Sequence, residues 1–165
     1  MSELYLYRLD HDVRQWVGFF DPRIKAFANR WFAIEPGQYQ GVSGYWATTR
    51  DGYAWDGCSP KWRLRGGKWI GTPEGPIIPV DEEPRGLPGG VPRTWYAALD
   101  HDCICQFREE IAAAWGIPVT EVRDIGDQSF RWILHVDRFL LAEVYYRAVQ
   151  FFGRYYMSMG THPKS

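Results

Sequence analysis

The sequence predicts an α+β fold in one domain, with an N-terminal strand and hairpin region packed on two long antiparallel C-terminal helices. Three observations predict it. Short runs of aromatic and β-branched residues separated by turn signals fill the first third, which is typical of strands. Good helix formers, with apolar residues at helical spacing, follow from Thr94 onward. Between them, glycine and proline crowd residues 63–93, and this composition predicts an insertion without regular structure.

Composition excludes several classes of protein. Hydrophobic residues make up 45% of the 165 residues and charged residues 24%, so the chain can bury a core. A net charge of −1 excludes the basic surface expected of a duplex-binding protein, and we expect no nucleic-acid partner. No apolar run approaches the ~20 residues of a membrane span, and we expect no signal peptide, because Met1-Ser2-Glu3 lacks the charged and apolar regions of one. Three cysteines are too few for a disulfide scaffold, so a reducing compartment is expected, either a bacterial cytoplasm or a virus-infected host cell.

Residues 1–62 are the predicted strand-rich part. A short aromatic strand is expected at 4–7. A short helix is expected over 22–32, because its apolar residues fall on one face. Asp51-Gly52 lies between two runs rich in aromatic and β-branched residues, and this pattern predicts a hairpin over 45–55.

Two helices are predicted to form a core over 94–153. The first is expected over 94–115, since Gly116-Ile117-Pro118 is a typical helix end. The second is expected to begin among the capping residues Gly126-Asp127-Gln128-Ser129 and to run toward Gly153. A tail, 154–165, follows.

One acid lies on the apolar face of the second predicted helix. Asp137 is in line with Phe130, Ile133 and Leu141, and a buried carboxylate needs a partner that donates hydrogen bonds or carries positive charge. His101 on the first helix is a candidate partner, and a histidine oriented by a carboxylate is suited to general-base catalysis. A small rotation of the helix would instead pair Asp137 with a surface arginine. Both interpretations stay open.

The loop after the predicted hairpin offers oxygen ligands. Asp56-Gly57-Cys58-Ser59 bends the chain and exposes carbonyl oxygens beside an acid. Adjacent helical residues point ~100° apart, so Asp102 must face a different neighbour from His101, for instance this loop. Calcium takes six to eight oxygen ligands, and Asp56, neighbouring carbonyls and Asp102 offer part of such a set. The alternative is a simple turn that binds no metal.

The order of these motifs resembles the prokaryotic branch of the phospholipase A2 superfamily. It is also similar to a group of uncharacterised phage and bacterial proteins in which an Asp-Gly-x-Ser-x-Pro turn precedes a His-Asp helix. The similar stretches span 53–62 and 94–153, about half of the chain. The residues that carry the resemblance are Asp56-Gly57-Cys58-Ser59, His101-Asp102, Asp137-Arg138-Phe139 and the run from Tyr145 to Gly153.

The resemblance implies a phospholipase A2-like helical core and a calcium-dependent hydrolase of lipid esters or other small acyl substrates. His101 would be the general base that activates water, and Asp137 would orient its imidazole. Asp56, the backbone beside Gly57 and Asp102 would bind calcium. The metal and a backbone amide of the loop would then stabilise the oxyanion formed at the ester carbonyl.

A non-enzymatic protein is the alternative. In that case the chain is a phage-encoded binding or virion protein with a degenerate site, and its partner is a host or virion protein. The insertion at 63–93 would then be its contact surface. In either case Trp55, Trp62 and Trp69 flank the loop and the insertion, and we expect them to contact the substrate or partner. The expected location is the cytoplasm of a bacterium or phage-infected cell, or the virion.

Overall fold

A four-stranded antiparallel sheet, with strand order β2-β5-β4-β3, packs on helices and confirms the predicted α+β class. The computed structural model describes residues 7–55, 62–63, 69–70 and 94–159, with side chains over 9–54 and 94–151. The strands of this part are β1 (Tyr7–Arg8), β2 (Val13–Val17), β3 (Phe27–Ala28), β4 (Phe32–Tyr39), β5 (Val42–Thr49), β6 (Ala54–Trp55), β7 (Trp62–Arg63) and β8 (Trp69–Ile70). Its helices are α1 (Trp95–Gln106), α2 (Arg108–Trp115), α3 (Val119–Val136) and α4 (Ala142–Met159).

The hairpin of this sheet lies between β4 and β5. Its turn is Gln40-Gly41, whose φ angles are 50° and 77°, as in the tight turns that match the twist of paired strands. The predicted hairpin over 45–55 is wrong. Asp51-Gly52 forms a turn, but the strand that follows it, β6, does not pair with β5. β6 pairs with β1, because β5 already has β2 on one side and β4 on the other and offers no free edge.

The helix predicted over 22–32 is also wrong. Phe27 pairs with Ile34 as part of the short edge strand β3. The Asn29 side chain accepts hydrogen bonds from the backbone N–H groups of Trp31 and Phe32 at 2.9 and 2.8 Å. This local turn competes with a helix and reverses the chain into β4.

Each of the two predicted helices is divided in the structure. The first is interrupted at Phe107 into α1 and α2, and α2 ends at Gly116 with φ 70°, as its sequence predicts. The second begins earlier than predicted, at Val119, and leaves the helical path at Asp137 before α4 starts.

The supposed cap at Gly126 therefore lies inside α3. A Cβ placed on Gly126 would sit 2.9 Å from Cγ2 of Ile104, so this glycine allows α1 and α3 to approach closely.

α1 lies between the sheet and α3. Two residues of one face of β5 reach it, since Tyr45 hydrogen-bonds to Asp100 and Thr49 lies 3.5 Å from the sulfur of Cys103. The opposite side of α1 packs against α3. No helix among the described residues is long and apolar enough to cross a membrane. The predictions for 4–6, the loop at 56–59, most of the insertion and the end of the tail lie outside the described residues.

Candidate active site

His101 projects from α1 toward α3 and meets a buried carboxylate. Its Nε2 lies 2.8 Å from Oδ1 of Asp127, and the two side chains are 14% and 6% exposed. A carboxylate only accepts hydrogen bonds, so this contact places the proton of a neutral imidazole on Nε2. Nδ1 then carries the lone pair that a general base requires.

Two polar groups lie beside that second nitrogen at longer distance. Oδ1 of Asp102 and the sulfur of Cys105 are each 4.0 Å from Nδ1, and the same sulfur is 3.6 Å from Nε2. The ring of Phe130 packs against the imidazole with 5.1 Å between centroids. The ring of Phe130 therefore packs against the imidazole, and polar groups of Asp127, Asp102 and Cys105 lie near its two nitrogens.

Arg123 supports Asp127 from within α3. Its Nε lies 3.9 Å from Oδ2, the carboxylate oxygen of Asp127 that does not bind His101. Its Nη2 donates to the carbonyl oxygens of Val149 and Gln150 on α4, each at 3.1 Å. The buried guanidinium therefore connects the acid of the site to the last helix.

The pKa of His101 is raised well above its usual value. Burial is the largest influence and opposes the charged imidazolium. The combined attraction of Cys105, Asp102 and Asp127 outweighs burial, so the charged form is favoured. The neutral imidazole that accepts a proton from water is consequently expected to become available only toward alkaline pH.

A second buried acid, Asp100, precedes His101 but faces the sheet. Tyr45 and Ser129 donate hydrogen bonds to its Oδ2 at 2.9 and 3.1 Å, whereas Oδ1 has no partner among the described residues. Complete burial raises its pKa to about 6, against the opposing influence of the two hydroxyl donors. Asp100 therefore joins sheet, α1 and α3 without contacting the His101 imidazole.

The predicted pairing of His101 with Asp137 is wrong, because Asp127 occupies that position. Asp137 is a buried residue at the C-terminal cap of α3, ten residues or ~15 Å further along the helix. The early start of α3 turns Asp127 toward α1. The signal was available in the sequence, since Asp127 shares one helical face with Phe130 and Leu134 at i+3 and i+7. The prediction that 126–129 form a helix cap left Asp127 outside the predicted helix.

The predicted metal ligands are described only in part. The Asp102 side chain is 34% exposed beside the imidazole, while Asp56 and Gly57 lie outside the described residues. In the part of the chain that the structure describes, no three His, Cys, Asp or Glu side chains are placed to hold a metal ion. The described residues alone therefore do not form a calcium site.

The three tryptophans expected at the partner surface are described through their backbones alone. Trp55 pairs with Tyr7 in the β1–β6 ladder. Trp62 pairs with Ile70, and Trp69 with Arg63, in the short β7–β8 ladder. What their side chains contact lies outside the described residues, and their role stays a prediction.

Comparison with known proteins yields no matching protein-family model, no matching curated protein and no matching solved structure. The case for a function therefore depends on the motifs and on the geometry around His101.

Proposed function

We propose that the chain is an ester hydrolase in which His101 activates water and Asp127 orients and balances its imidazole. The 2.8 Å contact between Nε2 and a buried carboxylate carries the proposal, because it leaves Nδ1 as the proton acceptor. A buried acid that stabilises the imidazolium is the usual companion of a catalytic histidine.

The chemistry follows from these two residues. Water attacks the ester carbonyl as its proton passes to Nδ1 of His101, and Asp127 stabilises the resulting imidazolium. When the tetrahedral intermediate collapses, the imidazolium returns the proton to the leaving alkoxide. The substrate class, a lipid ester or another small acyl ester, follows from the resemblance to phospholipases A2.

Calcium is a separate part of the proposal. Its ligands would be Asp102, Asp56 and the backbone beside Gly57, and of these only the Asp102 side chain is described. The proton transfers above involve His101 and Asp127 alone.

The test is hydrolysis of phosphatidylcholine vesicles and of p-nitrophenyl acyl esters by the parent protein and two matched variants. His101→Asn removes the proposed base and should lower kcat by roughly 10²–10⁴-fold. His135→Asn removes a second histidine that contacts a carboxylate, Glu143 at 2.7 Å, but lies exposed on α3. This control should keep the parent activity.

Each assay is run with added calcium and with a chelator. Equal rates of hydrolysis with calcium and with the chelator would reject the proposed calcium ligands, but they would not affect the assignment of His101 as the base. Hydrolysis that survives His101→Asn, or is absent from the parent, would overturn the proposal.

Absence of hydrolysis would favour the alternative, a phage-encoded binding or virion protein. One observation supports that alternative. Trp16, Tyr39 and Trp46 cluster on the face of the sheet that is turned away from α1, with ring centroids 5.2 to 5.7 Å apart. Tyr39 is exposed and the two tryptophans are partly exposed, and aromatic residues are enriched at protein–protein interfaces.

A further inference from the structure

α4 carries two rows of apolar residues. The inner row packs into the protein, since Ala142 and Tyr145 are buried and Val149 packs against the same core. The residue before each of these is also apolar, and adjacent helical residues point ~100° apart, so a second row lies beside the first. We call this second row the outer seam, and its members are Leu141, Val144, Ala148 and Phe151. Leu141 precedes the first residue of α4, and its carbonyl oxygen accepts the backbone N–H of Tyr145 at 3.0 Å.

The outer seam is open to solvent. Leu141, Val144 and Phe151 are 38%, 50% and 72% exposed, and Ala148 is partly exposed. Leu140, immediately before the seam, is 99% exposed. Contiguous exposed apolar side chains of this kind mark contact sites more often than isolated ones do.

The spacing of the outer seam indicates a helical partner. Its residues follow one another at intervals of three, four and three, which are the a and d positions of a heptad repeat. At ~100° per residue, the seam covers only about 80° of the helix circumference. A helix that lies on a broad apolar layer typically presents a face of about 100° or more, whereas a narrow a/d seam is typical of a helix that faces one other helix.

The charges beside the outer seam favour an acidic partner. Arg147 is exposed and follows Val144 by three residues, at the edge of the seam. Glu143 lies further round the polar side of α4 and is already paired with Arg131 and His135 of α3, each at 2.7 Å. The charge that this edge offers to a partner is therefore positive.

A second copy of this chain fits the outer seam poorly. Positions 147 and 154 are both arginine and take the same heptad position beside the seam. In an antiparallel pair of α4 helices these positions would face one another, and like charges there are destabilising. In a parallel pair they would face the heptad position of Tyr145, which is already buried against the core.

We propose that the outer seam is the docking site for an amphipathic helix of a partner protein, whose a and d positions are apolar and whose flanking e and g positions are acidic. Burial of Leu141, Val144 and Phe151 against the apolar positions supplies the affinity. Arg147 faces a flanking carboxylate and so discriminates against basic helices. The proposal does not depend on hydrolysis at His101.

The probe is a synthetic three-heptad peptide with leucine at a and d and glutamate at e and g, whose like charges prevent it from pairing with itself. A matched peptide has lysine at e and g. Fluorescence anisotropy should show that the glutamate peptide binds the parent at least about tenfold more tightly than the lysine peptide does. Arg147→Glu should reverse this preference, a result that a misfolded variant could not give. Equal binding of the two peptides to the parent, or no binding of either, would overturn the proposal.

A pair of valine variants tests the position of the site. Val144→Asp places a charge in the outer seam and should weaken binding of the glutamate peptide at least about tenfold. Val42→Asp is the matched control, because Val42 is 49% exposed but lies on β5. This control should bind as the parent does. A Val144→Asp variant that binds as tightly as the parent would place the peptide elsewhere and reject the docking site.

Two further measurements examine other occupants of the seam. In sedimentation equilibrium the parent should be a monomer, and a dimer that Val144→Asp dissociates would overturn the proposal in favour of a second copy. In flotation with phosphatidylglycerol vesicles the parent should stay unbound. Vesicle binding that Val144→Asp abolishes would overturn the proposal in favour of a lipid surface.

Discussion

Asp100 should make the stability of the protein fall as pH rises from about 4 to about 6. The pKa of this carboxyl is about 6 in the fold and 3.8 without the fold's influence, because burial disfavours the charged form. Over that window the native state keeps a proton that the unfolded chain has lost, so stability decreases with rising pH. At about 1.4 kcal/mol for each pKa unit, the loss is about 3 kcal/mol once the pH exceeds 6.

Asp100→Asn removes this titration. The asparagine carbonyl still accepts hydrogen bonds from Tyr45 and Ser129, but the amide N–H₂ replaces an oxygen that has no partner among the described residues. That substitution costs about 1–3 kcal/mol at every pH. The variant should therefore be less stable than the parent near pH 4 and equal or more stable above pH 7.

Urea unfolding at both pH values measures the difference in free energy between parent and variant. Asp12→Asn is the contrasting control. The pKa of Asp12 is lowered, first by the Asp51 backbone N–H and then by Arg50, so its contribution is lost as pH falls. A difference between parent and Asp100→Asn that is the same at pH 4 and pH 7 would refute the argument.

Two further outcomes follow from α3. Gly126→Ala places a Cβ 2.9 Å from Cγ2 of Ile104, and overpacking of about 1–3 kcal/mol should exceed the helix-propensity gain of about 1 kcal/mol. Thermal unfolding of Gly126→Ala should show a lower Tm. Adding Ile104→Leu should partly restore the Tm, because leucine lacks the Cγ2 branch at Cβ. A Gly126→Ala variant as stable as the parent would exclude the clash. Asp127→Asn removes the negative charge of the carboxylate whose hydrogen bond raises the pKa of His101, so an NMR titration of the ring should show a lower pKa. An unchanged or higher pKa would contradict the assigned contact.

Local sequence was sufficient to predict the α+β class and the end of α2 at Gly116. These features depend on residues within one or two turns of each other, where propensity and spacing act directly. The same local argument placed His101 and Asp102 on different sides of α1. In the structure His101 binds Asp127, while Asp102 lies 4.0 Å from the other ring nitrogen and is partly exposed.

Partners that are distant in sequence were decided by the tertiary structure. β6 pairs with β1 because both edges of β5 are occupied, and no pattern within 45–55 contains that information. α3 begins at Val119, so the residues expected to form a cap lie inside this helix. Asp127 meets His101 because Gly126 lets α1 and α3 approach closely. Spacing along the chain identifies which side chains share a face. Only the packing of one helix on another selects the acid that reaches the histidine.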